Sequence, residues 1–124
     1  MTYKILFLIG MIFCHIVDDY YLQGWLASAK QKEWWVKNSP NPLYKYDYIM
    51  ALFMHSFSWT CSVMLIPTLY VLIVGGSWYP VLFICNVLLH MLVDDLKANK
   101  KKINLILDQV IHILQIVWIW CYFF

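Results

Sequence analysis

Four long apolar runs separated by short polar segments dominate the chain. Each run is long enough to predict a helix that crosses a membrane. The spans are predicted at about residues 3–23, 46–74, 78–96 and 103–124. Between the first two, residues 25–36 are polar on one side and aromatic on the other, which predicts a helix lying along the membrane interface. The fold class is therefore all-α: a polytopic, four-transmembrane-helix bundle in a single domain, residues 1–124.

The composition and the positions of proline and glycine agree with this pattern. The chain is 63% hydrophobic and 13% charged, whereas globular domains average roughly 45–50% and 25%. Pro40 and Pro42 end the interfacial segment, and Gly75 and Gly76 form a turn between the second and third spans. Pro67 lies inside the second span and is expected to kink or divide that helix. The four cysteines are widely scattered, so neither a disulfide framework nor a zinc-knuckle pattern is expected.

The basic residues predict an orientation. All nine are lysines, and eight of them fall in the two loops before span two and before span four. Lysine-rich loops stay in the cytoplasm, so both termini are expected on the opposite side of a bacterial or phage-host inner membrane. A lysine-rich, arginine-free composition is typical of an AT-rich genome and favours a phage or a low-GC bacterium. No nucleic-acid partner is expected.

Three of the four histidines lie one helical turn from an aspartate. The pairs are His15 with Asp19, His90 with Asp94, and Asp108 with His112. A spacing of four puts both side chains on one face of a helix. Each charge costs roughly 2.5–3.5 kcal/mol at the centre of a membrane helix, so three such pairs require a reason.

All four histidines are predicted at one depth. Counted inward from residues 24, 46, 97 and 103, His15, His55, His90 and His112 lie seven to nine residues into their helices. At about 1.5 Å per residue, this places them roughly 10–14 Å from the cytoplasmic end. The motif order also reverses in the last span, as a site shared by antiparallel helices requires.

Imidazole and carboxylate groups gathered in a bundle suit a divalent metal, with zinc the first choice and manganese or iron as alternatives, in one or two ions. The predicted ligands are His15, Asp19, His55, His90, Asp94, Asp108 and His112. A metal-held water becomes a nucleophile at neutral pH, so hydrolysis of a phosphate or acyl ester is the expected reaction. Asp19, Asp94, Asp108 and Lys97 are the predicted catalytic residues, and Lys97 is also expected to attract an anionic substrate.

The polar residues next to the predicted ligands have other predicted roles. Asp18 and Asp95 are expected at the membrane interface and solvated, although whether Asp18 or Asp19 belongs to the site stays open. Gln23 and Gln109 extend the polar stripes and are expected beside the site rather than in it. Gln115 is the only strongly polar residue in the outer half of span four, which offers little support for a proton or cation conduit.

The motifs resemble a small uncharacterised membrane-protein family of bacteria and phages. The blocks are a His-x-x-x-Asp followed by Leu-Gln, a lone His, a His-x-x-x-Asp with a Lys three residues on, and Asp-Gln-x-x-His. This pattern is similar to that of LexA-regulated inner-membrane metal-dependent hydrolases. The resemblance implies a metal-dependent hydrolase but no substrate.

Two other functions stay open from the sequence. The chain fits a membrane binding or regulatory protein that acts on a host complex and whose His/Asp layer only specifies packing. It also fits a proton or cation conduit. Expected partners are membrane lipid, an anionic or phosphate substrate, and a host protein, and self-association is left open.

Overall fold

The computed structural model describes the backbone of residues 2–124 and the side chains of residues 3–124. Six α-helices are joined by short connections, and no strand occurs in this part of the chain, which confirms the all-helical prediction. The helices are α1 (Thr2–Val17), α2 (Leu26–Ala29), α3 (Lys32–Asn38), α4 (Asp47–Val74), α5 (Pro80–Ala98) and α6 (Leu105–Phe123). A π-helix, Asp18–Leu22, continues α1, and a 3-10 turn, Pro42–Tyr44, precedes α4.

Three segments of residues 2–124, and not the four predicted, are long and apolar enough to cross a membrane. They are Tyr3–Leu22, Pro42–Val74 and Leu105–Phe123. The difference is α5, which has 19 residues but carries Asp94, Asp95 and Lys97 in its last turns. Each such charge lowers the tendency to insert, so composition alone does not identify α5 as a span. The three apolar helices are compatible with a membrane protein.

Helix α4 is the centre of the bundle and contacts α1, α5 and α6. Its buried residues recur every three to four positions, so they form one face. They are Ala51, Leu52, His55, Ser56, Trp59, Thr60, Val63, Met64 and Pro67. The helix runs unbroken through Pro67 to Val74, so the expected division does not occur.

An apolar core fills the half of the bundle on the Gly75 side of the histidines. It consists of Met11, Trp59, Val63, Met64, Leu82, Ile116 and Ile119. Helix α1 approaches α4 closely at Gly10. A Cβ at this position would lie only 2.5 Å from Ile66 Cδ1. Asn86 and Gln115 border this core and are hydrogen-bonded: Gln115 Nε2 donates to Asn86 Oδ1 at 2.8 Å.

The segment between α1 and α4 is two short helices rather than the single interfacial helix that was expected. Gly24 has a φ of +50°, a conformation that favours glycine, and it lets the chain turn after the π-helix. Helices α2 and α3 are separated at Lys30 and Gln31. The Trp35 indole N–H donates to the Ala29 carbonyl at 2.6 Å, which ties α3 back to α2. Lys30 is thereby held beside the polar end of the bundle.

Candidate metal centre

Histidines and aspartates from the four long helices meet in the interior, at the polar end of the bundle. The four histidine side chains are at most 1% exposed, and Asp94 and Asp108 are also buried. Asp19 is 9% exposed at its side chain. Each long helix contributes to the cluster because its histidine lies on the face that packs against its neighbours.

Two groups within the cluster have the spacing needed to hold a metal ion. One comprises Asp19, His55 and His90, and the other comprises His90, Asp94 and His112. In each group the candidate ligand atoms lie within 4.8 Å of one another. The two groups share His90, so the residues form one continuous site rather than two separate ones.

The distances around His55 Nε2 match the spacing expected of ligands around one ion. His55 Nε2 lies 3.3 Å from His90 Nε2 and 3.3 Å from Asp19 Oδ1. It also lies 3.4 Å from Asp94 Oδ2. Ligands about 2.0–2.1 Å from a tetrahedral zinc ion lie about 3.3–3.4 Å apart, whereas N–H···O bonds are usually about 2.7–3.2 Å.

Several buried atoms at this site have no hydrogen-bond partner among the residues that the structure describes. They include His112 Nε2, Asp19 Oδ1 and Asp108 Oδ1. His112 Nε2 lies 3.4 Å from both Asp94 Oδ1 and Asp108 Oδ1. Leaving such atoms unpaired in a protein interior is costly, and a bound cation would satisfy them together.

With its carboxylates ionised and its histidines neutral, the site would carry a net negative charge. Asp18, Asp19, Asp94 and Asp108 contribute four negative charges, and Lys30 and Lys97 contribute two positive ones. With neutral histidines, the sum is a net charge of −2. A single divalent ion would neutralise it.

The two lysines each hold one carboxylate. Lys97 Nζ donates to Asp108 Oδ2 at 2.6 Å, and Lys30 Nζ donates to Asp94 Oδ2 at 2.6 Å. Lys97 was anticipated from its position after the third motif. Lys30 was not, because it reaches the site from the connection between α2 and α3, where no helical spacing points to it.

Asp18 is buried, contrary to the expectation that it would be solvated at the interface. Its side chain is 1% exposed, and its Oδ1 accepts from the hydroxyls of Ser58 and Ser62 at 2.7 and 3.1 Å. The reason is the π-helix that begins at this residue. Its wider turn directs two consecutive carboxylates, Asp18 and Asp19, into the bundle, which α-helical spacing would separate.

His15 has a different role in the geometry from the other three histidines and belongs to neither metal-spaced group. The Trp59 indole N–H donates to His15 Nδ1 at 2.7 Å. His15 Nε2 therefore carries the proton and donates to Gln109 Oε1 at 3.0 Å. The Gln109 amide in turn donates to Asp108 Oδ2 at 3.0 Å, so the chain of hydrogen bonds orients Asp108.

Trp59 is the structural residue of the site that sequence reasoning missed. Its ring stacks on His90 with centroids 4.2 Å apart, and His90 stacks on His112 at 4.1 Å. The signal was present, since Trp59 follows His55 by four residues on the same face of α4. The stack fixes the orientation of two imidazoles.

Gln23 and Gln109 both contact the cluster. Gln23 Nε2 lies 3.0 Å from His55 Nε2, the atom that faces the other ligands. A half-turn of the Gln23 amide would present its oxygen instead, and the His55 nitrogen could then carry a proton or bind a cation. Asp95 lies outside the site and pairs with Lys100 at 3.0 Å.

A polar cavity of about 360 Å³ leads from the surface to the cluster. Asp19 and Asp94 are the carboxylates on its wall, and Lys30, Lys97 and Lys101 line it as well. Solvent and a small polar group therefore have a route to the candidate ligands.

Comparison with known proteins places the chain in a family without a known activity. No curated protein and no solved structure matches the chain significantly. Residues 7–124 match the family described as "Protein of unknown function (DUF3307)". This match covers nearly the whole chain, all of the candidate ligands included, and the protein therefore belongs to the DUF3307 family.

Proposed function

We propose that the protein is a membrane-embedded, divalent-metal-dependent hydrolase of phosphate or ester substrates. His55, His90, Asp94 and His112 hold the ion, with Asp19 and Asp108 completing the coordination of one or two ions. The main support for this proposal is the pair of overlapping His/Asp groups, in each of which the candidate ligand atoms lie within 4.8 Å of one another. Zinc is the first choice for this mixture of imidazole and carboxylate, and manganese and iron are alternatives.

The apolar core favours this proposal over a conduit. A conduit needs a polar path across the bilayer, whereas Met11, Val63, Met64, Leu82 and Ile119 close the bundle beyond the histidines. The amides of Asn86 and Gln115 are also engaged with each other. The polar groups are therefore concentrated at one end, as a reaction site requires.

The reaction adds the oxygen of water to phosphorus or to an acyl carbon, and the ester oxygen leaves with a proton. A divalent cation would lower the pKa of its bound water towards about 7 and polarise the oxygen that is attacked. Asp19, on the cavity wall, accepts the proton of the attacking water. Lys97, which spends one of its three N–H donors on Asp108, stabilises the developing negative charge. His15 and Gln109 keep Asp108 in position.

The proposal includes a membrane arrangement. Helix α5 acts as a fourth crossing, because its charged residues face the bundle or its polar end: Asp94 is buried and Asp95 pairs with Lys100. The loops around Lys30 and Lys97–Lys102 then lie in the cytoplasm of the bacterial or phage-host cell, with both termini outside. The metal site opens to the cytoplasmic leaflet.

The first test is metal content combined with hydrolysis. The full chain is purified in detergent, and its metals are measured in the wild type and in the His90→Gln and His15→Gln variants. We expect about one or two ions per chain in the wild type. His90→Gln should lose the metal, and His15→Gln should retain it because both His15 nitrogens are engaged elsewhere.

Activity is measured on p-nitrophenyl phosphate and p-nitrophenyl acetate, with and without chelation. Hydrolysis that disappears on chelation and returns with zinc, manganese or iron supports the proposal. Metal-free wild-type protein that stays folded after chelation would overturn it and favour a binding or regulatory protein with a structural His/Asp layer.

A further inference from the structure

We infer that the substrate is a lipid with a phosphate headgroup, which enters the site sideways between α1 and α6. This inference rests on the proposed hydrolase function and specifies its substrate class. The observation that supports it is that three adjacent spaces share lining residues. The polar cavity at the metal-spaced groups shares Tyr20 and Gln109 with two apolar grooves on the outside of the bundle.

Both grooves are suited to acyl chains. The first has a volume of about 490 Å³ and is lined by Leu105, Ile106, Val110, Ile113 and Leu114, besides the two shared residues. The second, about 470 Å³, adds Ile12 and Ile16 from α1. The grooves lie where α1 and α6 face the surroundings of the bundle, so in a membrane they open to lipid tails. A polar, water-soluble substrate would make no favourable contact with this apolar lining.

The polar cavity is suited to a phosphate. Lys30, Lys97 and Lys101 line it, and two of these lysines already contact carboxylates of the candidate ligand set. When a cation neutralises those carboxylates, the lysines present their remaining N–H donors to the cavity. Ammonium groups and a divalent ion together attract a phosphate more strongly than a neutral headgroup.

Gln109 and Tyr20 mark the boundary between the two environments. Gln109 is held by His15 and Asp108, and the exposed Tyr20 ring lies on the π-helix opposite it. A lipid placed here has its phosphate among the lysines and its tails in the grooves. Attack of water on phosphorus breaks the bond from phosphorus to the lipid oxygen. The lipid alcohol leaves with a proton, and inorganic phosphate remains in the cavity.

The test compares two matched tryptophan substitutions on α6. Val110 lines the groove and is 48% exposed, whereas Leu107 is 47% exposed and is not among the lining residues. Binding of phosphatidic acid to the full-length protein is measured by native mass spectrometry and by titration with mixed phosphatidylcholine and phosphatidic acid vesicles. Val110→Trp should weaken binding about tenfold, equal to about 1.4 kcal/mol. Leu107→Trp should leave it unchanged.

A second matched pair tests the headgroup. Lys101 lines the cavity, and the adjacent exposed Lys102 does not appear on its wall. Lys101→Gln should weaken phosphatidic acid binding several-fold, Lys102→Gln should not, and phosphatidylcholine should bind equally weakly to both. Phosphate release from phosphatidic acid should exceed release from glycerol 3-phosphate.

The outcomes separate the two proposals. If the metal-loaded protein hydrolyses glycerol 3-phosphate as well as it hydrolyses phosphatidic acid, and if Val110→Trp equals Leu107→Trp, the lipid inference is overturned while the hydrolase stands. If the protein binds no metal and hydrolyses nothing, yet binds phosphatidic acid with the expected sensitivity to Val110→Trp, the hydrolase fails and the lipid site stands as a binding site.

Discussion

The two halves of the bundle use the same helices but are held together differently. On the Gly75 side, α1, α4, α5 and α6 meet through apolar side chains such as Met64 and Ile116, which are almost completely buried. On the lysine side, the same helices meet through histidines and carboxylates, and two of the carboxylates pair with Lys30 and Lys97. The apolar half is held mainly by packing, whereas the polar half contains several buried carboxylate and imidazole atoms without a hydrogen-bond partner among the described residues.

This contrast separates stability from function. A packed apolar half fixes where the helices lie. Because the same helices continue into the polar half, this packing also positions the histidines and the buried carboxylates there. Trp59 belongs to both halves, because it lies in the apolar core and stacks on His90. The following substitutions change one half at a time.

The largest effect is expected for Asp94→Asn. The change leaves Lys30, whose side chain is 12% exposed, without its partner and removes a candidate ligand from the group of His90, Asp94 and His112. Breaking a buried ion pair in this way costs about 3–5 kcal/mol. Metal content should fall to background, and the free energy of unfolding in detergent should decrease by that amount.

Asp95→Asn is the matched control, since Asp95 is adjacent in sequence and pairs with the half-exposed Lys100. It should change stability by at most about 1 kcal/mol and keep the metal. Equal behaviour of the two variants would contradict the assignment of Asp94 to the site. Adding Lys30→Gln to Asp94→Asn should restore part of the stability but none of the metal.

Ile116→Ala tests the apolar half. Ile116 is fully buried among Met11, Met64 and other core residues, so its truncation leaves a cavity that costs about 2–5 kcal/mol. Denaturant unfolding in detergent should show this loss, while metal per folded chain should stay at the wild-type value. Loss of metal from folded Ile116→Ala protein would show that the two halves are not separable.

Trp59→Phe has the smallest expected effect and tests the connection between the halves. Phenylalanine keeps a ring against His90 but leaves the buried His15 Nδ1 without the Trp59 N–H, which should cost about 1–3 kcal/mol. The matched variant is Trp78→Phe, whose N–H donates to Thr68 at the exposed end of the bundle. Trp78→Phe should be nearly neutral in the same unfolding measurement. If both variants behave alike, the hydrogen bond to His15 contributes nothing measurable.

The all-helical fold could be predicted from the sequence, because hydrophobic length and the rise of a helix are local properties. Counting residues put His55, His90 and His112 in one layer, and their rings lie in contact. The same count predicted His15 as a ligand, and spacing alone does not reveal the hydrogen bonds that its two nitrogens make with Trp59 and Gln109. Asp18 lies in a π-helix, and Lys30 reaches the site from the connection between α2 and α3. A pattern of α-helical spacing predicts neither feature. Whether α5 crosses the membrane depends on the direction in which its charged side chains point, and composition counts only their number.

The π-helix at Asp18–Leu22 also sets the direction in which the chain leaves α1. A single residue more or less in an α-helix rotates the downstream chain by about 100° around the axis. Removing one residue between Tyr20 and Leu22 would therefore swing Gln23 away from His55 and redirect the chain that delivers Ala27, Lys30 and Gln31 to the cavity. The exposed stripe of α1 upstream would keep its direction, so such a deletion would disrupt the mouth of the site and leave the apolar core of the bundle in place.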